Sequence, residues 1–259
     1  MLELETAQII ARSPAMYVAQ GYHFADPLTG KDREGDVLAE MFVETADKVH
    51  AITLVVECKD TRSPWVFFVG TEGATAEPWR ALRNTDVYGC IECRALYERL
   101  ERQGAPVLDA YAVTEKRAKN AKDHAHEAVQ QAATALTAQF PEISDGHGTH
   151  GRKFPVFGHA VVVTRSPLVI CTLDDDGEVQ LSPVPTASVI VPRLDLPDDP
   201  SASQGIQVSV VQLAALEGFI KSLVAPPSEQ ELEAAAEIVE RWQPAAAGEN
   251  DAESTEADS

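Results

Sequence analysis

Ile52 to Val56 is a short run of β-favouring side chains that stops abruptly on two charges, Glu57 and Lys59. Such a run folds as a strand buried on both faces, and unpaired charge is costly to bury, so Glu57 and Lys59 belong at the strand's open end. Successive strand residues alternate faces, which sets Glu57 and Lys59 side by side and Cys58 opposite. Upstream, the segment Asp36 to Val43 reads as a hairpin partner, closed through Thr45, Ala46, Asp47 and Lys48. Pairing of the two strands would bring Asp36 close to Glu57.

Two carboxylates and a lysine at the open end of a hairpin can hold a hard divalent ion through oxygen and leave positions for waters and a phosphate. Without an ion the carboxylates repel. With Mg²⁺ or Mn²⁺ bound they become ligands, and Lys59 is free to orient or deprotonate a water. An acid-x-Lys triplet alone says little, since 41 acidic residues in 259 make one expected about once by chance. The apolar run before it and Asp36 at the matching distance give it meaning.

These residues resemble the PD-(D/E)xK, or restriction-endonuclease-like, nucleases, and among them the Mrr-like branch. The resemblance rests on Tyr22-His23-Phe24, on Asp26 to Ala39 with Arg33-Glu34-Gly35-Asp36-Val37-Leu38-Ala39 at its centre, on Val55-Val56-Glu57-Cys58-Lys59, and on Pro64 to Phe68. It covers about residues 1 to 70 well and continues less distinctly to about residue 224. It implies that Asp36 and Glu57 are metal ligands, Lys59 is the catalytic lysine, and the Cys58 carbonyl is a further ligand. It also implies a glutamate from the first helix, for which Glu5 is the choice and Glu3 the other candidate. Gly35 departs from the family, which usually has an aliphatic residue before the aspartate. The implied activity is Mg²⁺-dependent cleavage of DNA, in defence against foreign DNA or in repair. A catalytically silent adaptor of the same fold is the alternative.

The expected fold is α/β: a restriction-endonuclease-like central mixed sheet flanked by helices over residues 1–195. Residues 196–243 would add a linker, a strand and C-terminal helices, and residues 244–259 a disordered acidic tail. In order, the sequence predicts a helix over Leu2 to Arg12, the two strands of the hairpin, and a third strand over Trp65 to Val69. A helix over Ile91 to Gln103, a strand over Val107 to Val113 and a long helix from Glu115 to Gln139, stopped by Pro141, come next. Strands follow over Val156 to Thr164, Leu168 to Leu173, Glu178 to Leu181 and Ser188 to Val191, with Asp175-Asp176-Gly177 as a hairpin turn. Ile206 to Val211 is a last strand, and Leu213 to Leu223 and Glu229 to Trp242 are helices.

Net charge of −20 is unusual for a protein that grips phosphates. The densest basic cluster is Lys116, Arg117, Lys119 and Lys122, the expected nucleic-acid contact, with a plain solvated helix start as the other reading. DNA is the expected partner, and a protein partner or a second copy of the chain is left open as the source of extra affinity. Gln130 and Gln131 resemble polar residues that face the site in relatives. His147 and His150 beside Asp145, and Cys90 with Cys93, lack the further ligands that a metal site at those spacings needs. No apolar stretch is long enough to span a bilayer, the first residues lack the order of a signal peptide, and a cytoplasmic location with reduced cysteines is expected.

Overall fold

A computed structural model describes residues 1–13, 16–44, 49–61, 63–69, 91, 95, 98–99, 110–115, 123–144, 156–174, 176–192 and 205–237. Helix α1 (Leu2–Ala11) leads into an antiparallel meander of β1 (Met16–Ala25), β2 (Asp32–Glu44) and β3 (Val49–Lys59). Strands β4 (Trp65–Val69) and β5 (Ala110–Glu115) follow, then helix α2 (His124–Ser144), β6 (Val156–Thr164), β7 (Leu168–Leu173), β8 (Val179–Val184), β9 (Thr186–Pro192), β10 (Gly205–Gln212) and α3 (Leu213–Val224). Residues 229–237 form a further helix, α4. Ten strands make one mixed sheet in the order β1-β2-β3-β6-β10-β9-β5-β4-β7-β8. Among the described residues no helix is long and apolar enough to cross a membrane.

Alternation along β2 explains how the sheet is clothed. From Gly35 to Val43 every second residue is buried, and Val37, Ala39, Met41 and Val43 face the cluster formed with Ile10 of α1 and Leu216, Phe219, Ile220 and Leu223 of α3. The opposite face packs against α2, whose Ala125, Ala128, Val129, Ala132 and Ala133 meet Val55, Ala160, Val162 and Val208. An alanine-lined helix lets the sheet approach closely, and Trp65 and Phe67 fill the space beyond it.

Several expectations hold as stated: β6 and β7 carry the expected bounds, and a hairpin turn closes β7 onto β8, where the Asp174 N–H reaches the Glu178 carbonyl at 3.0 Å. Others need correction. The expected order helix, three strands, helix, strand does not hold: Met16–Ala25 is an additional strand, so four strands precede the helical residues at 91–99, and Trp65–Val69 is not the neighbour of β3. It pairs with β5 and β7 in the far half of the sheet. The long helix starts at His124, and Glu115 ends β5. Asp123 is the cap, its Oδ1 accepting the His126 N–H at 3.1 Å, and the helix continues past Pro141 to Ser144. Of the helix expected over 91–103, Ile91, Ala95, Glu98 and Arg99 are described and helical. The linker at 194–204 and the tail from 244 lie outside the described residues.

Buried Arg99 ties the C-terminal helices together. Its guanidinium donates to the carbonyls of Ser222, Ala225 and Pro226 at the end of α3 and forks onto Glu231 of α4 at 2.8 and 2.6 Å. Glu231 also accepts the Ser228 N–H at 2.7 Å, which closes a capping box at the start of α4. The arginine's hydrogen bonding holds the Glu231 carboxyl down at about 2. Arg99→Ala removes a planar five-donor group and leaves a part-buried carboxylate and three carbonyls behind, so it is expected to cost about 3 kcal/mol in urea unfolding. Lysine, a point charge, should restore little of that loss, and full recovery by Arg99→Lys would refute the forked geometry as the cause.

Candidate active site

Strand β2 pairs with β3 from Glu44↔Val49 as far as Val37↔Val56 and then leaves it, staying with β1 down to Asp32↔Ala25. Strand β3 runs on beside parallel β6 to Lys59↔Thr164. The two strands therefore fork, and the fork opens at Asp36 and Glu57. Beyond it the Cys58 N–H has lost its ladder partner, and Asp36 Oδ2 accepts it at 2.6 Å. A side chain thus replaces the missing strand and is itself fixed in place.

Glu57 and Lys59 share a face, with Lys59 Nζ 3.9 Å from Glu57 Oε1 and side-chain exposures of 25% and 15% for Lys59 and Glu57. That separation is longer than a hydrogen bond, so the two groups attract through charge without a direct donor–acceptor contact. Burial, and then the negative charge of Asp36, push the Glu57 carboxyl up to about 8. Asp36 is also pushed up, chiefly by burial, against the pull of the Cys58 N–H. Two carboxylates raised by burial, one of them further by the other, and a lysine that only partly offsets the rise describe a site short of positive charge. Cys58 points to the α1 side, where burial lifts its thiol to about 12; its carbonyl, not its sulfur, is the group suited to a hard ion.

The α1 glutamates separate. Glu5 is held by Arg165 at 2.6 Å, and Arg165 also binds Asp60 at 2.5 Å, a clamp joining α1, the end of β3 and the turn after β6. Glu3, not Glu5, carries the α1 charge felt at both Asp36 and Glu57. In this structure Glu5, the choice for the α1 ligand, is engaged by Arg165, and Glu3, the other candidate, is the one whose charge reaches the fork. From α2, Glu127 adds negative charge at Glu57, and one turn on, Gln131 has a buried Oε1 with no partner among the described residues. Lys116, Arg117, Lys119 and Lys122 lie outside the described residues, as do Cys90, Cys93, Asp145, His147 and His150.

Tyr22 is the site residue that chemical pattern alone does not single out. Val18 of β1 packs with the α1 and α3 cluster, whereas Tyr22 and Phe24, which strict alternation would set on the same side, pack with the α2 cluster. Between them Gly21 takes φ +60°, open to glycine and strained for other residues, and the strand changes face there. The Tyr22 ring then lies across its partner Gly35: a Cβ on Gly35 would run into the ring at Cε1, Cζ and the hydroxyl. The ring occupies the place that a side chain at position 35 would take.

Asp36 and Glu57 with the Cys58 carbonyl form an oxygen set that fits a hard divalent cation. Among the described residues no three His, Cys, Asp or Glu side chains gather as a complete metal cage, so waters and a substrate oxygen would have to complete the shell. Comparison with protein-family models, curated proteins and solved structures found no match to this chain.

Proposed function

We propose that the chain is a Mg²⁺-dependent nuclease of restriction-endonuclease-like fold that hydrolyses phosphodiester bonds, with DNA as substrate. The observation that carries this reading is the fork at Asp36 and Glu57, where two mutually repelling carboxylates and a lysine converge on one short stretch of strand. The topology is compatible with it: α1 leads into a three-strand meander, and after β4, β5 and α2 the chain returns as β6, parallel to β3.

Asp36, Glu57 and the Cys58 carbonyl would hold the cation, which when bound supplies charge to the phosphate and acidifies a water. Asp36, anchored by the Cys58 N–H, keeps its free oxygen turned to the fork. The Lys59 ammonium can hold the attacking water or a phosphate oxygen, while Glu57 keeps the lysine within reach. By family analogy the setting is defence against foreign DNA or repair. The acidity of the chain favours a second reading, a silent adaptor of the same fold whose partner supplies any contact with DNA.

Titration calorimetry separates the two. The wild type is expected to bind Mg²⁺ and Asp36→Ala to lose that binding, because one of the two carboxylate ligands is gone. Equal heats from both proteins would refute the metal site and leave the adaptor.

A further inference from the structure

Tyr22 carries a buried hydroxyl with no hydrogen-bond partner among the described residues, although a buried phenol usually finds one. The ring is fixed from several sides. It is stacked with Phe24 at 5.9 Å between centroids, packed on the α2 cluster, and seated over the bare backbone of Gly35, whose next residue is Asp36. Such seating uses a glycine inside a strand, where it weakens the strand, and a glycine at positive φ one residue before the tyrosine. An oriented hydroxyl without an acceptor, beside two carboxylates, is a donor held ready for something that arrives from outside.

We propose that the Tyr22 hydroxyl donates a hydrogen bond to a non-bridging phosphate oxygen of the substrate strand, making it a fourth side chain of the site beside Asp36, Glu57 and Lys59. This rests on the phosphodiesterase reading and specifies what the fork recognises. A neutral phenol suits this role because it supplies directed hydrogen bonding without adding charge to a site that must also admit a cation. Burial and then the negative charge of Glu57 and Asp36 keep the phenol protonated well above its ordinary range, so the donor persists at any working pH. Lys59, a mobile point charge, attracts phosphate, and Tyr22, immobile and directional, would set which oxygen faces the carboxylates.

Tyr22→Phe tests this, since it keeps the ring over Gly35 and deletes only the hydroxyl. The melting temperature should stay level or rise, because a buried group without a partner is removed. Mg²⁺ binding measured by calorimetry should not change. With Mg²⁺ saturating, affinity for thymidine 5′-monophosphate should fall about tenfold, the size expected for one lost buried hydrogen bond to a charged group. A near-ultraviolet difference spectrum of the wild type on adding the nucleotide should show a phenol shift, a readout that stands even if the variant folds poorly. Equal nucleotide affinity in wild type and Tyr22→Phe, or no nucleotide binding and no phenol shift in the wild type, overturns the role of Tyr22. Absence of Mg²⁺ binding to the wild type strikes instead at the metal reading, and a tenfold loss without Mg²⁺ would keep Tyr22 as a phosphate donor in a site that needs no ion.

Discussion

Alanine at Asp36, Glu57 or Lys59 is expected to lower Mg²⁺-dependent DNA cleavage by at least about a thousandfold while circular dichroism stays that of the wild type. The three losses should differ in origin. Asp36→Ala and Glu57→Ala remove oxygen ligands and should lose Mg²⁺ affinity with activity, whereas Lys59→Ala should keep the affinity and lose the rate. Glu5→Ala serves as the contrast: its carboxylate is engaged by Arg165, so the change should act on stability and leave Mg²⁺ affinity near that of the wild type. Cleavage by all three alanine variants at the wild-type rate would remove Asp36, Glu57 and Lys59 from the chemistry.

Stability should fall steeply above neutral pH when divalent ions are chelated. Glu57 titrates near 4.5 when exposed and near 8 in the fold, so folding favours its protonated form. Its contribution is complete below about pH 4.5 and is lost as pH rises through 8, a loss on the order of 3 kcal/mol. Asp36, pushed the same way, adds to the fall. His159 runs in the opposite sense. Fully buried, hydrogen-bonded to Ser209 at 2.9 Å and stacked on Phe219, it is held down to about 4, so its contribution is complete above 6.5 and fades as pH drops towards 4. From about 4.5 to 6.5 Glu57 and His159 oppose each other, and above 6.5 His159 no longer offsets the fall. Urea unfolding in EDTA at pH 6.5 and 8.5 should show the drop in wild type, little of it in Glu57→Gln, and recovery when Mg²⁺ replaces EDTA. Identical curves for wild type and Glu57→Gln at both pH values would show that Glu57 is not forced into this state.

The fork is legible in the sequence because its signals are local. An apolar run that stops on Glu57 and Lys59 gives the strand, its end and the shared face, and the short loop to Asp36 gives the register. What escapes is set by non-local or aperiodic causes. Strand β1 lacks a clean alternation because Gly21 turns its second half to the other face, so Tyr22 reads as a motif letter and not as a neighbour of Asp36. Trp65 to Val69 is recognisable as a strand, but its partners are 41 to 103 residues away in sequence, and nothing near it says that it skips β3. Glu5 and Glu3 both sit in the first turn of α1; their roles diverge through Arg165, 160 residues from Glu5. The start of α2 is hidden because Asp123, the capping residue, reads equally well as an ion-pair partner for the lysines before it.

The ring over Gly35 also constrains descent. Positions 22 and 35 are a single heritable unit with a preferred order of change. A lineage that loses the aromatic ring first passes through a chain with a gap beside Asp36, tolerable for a time, and can then grow an aliphatic side chain at 35. A lineage that enlarges residue 35 first drives it into the ring and disturbs the strand that aims Asp36. Travel between the two arrangements therefore passes, in either direction, through a chain with a small residue at 22 and glycine at 35.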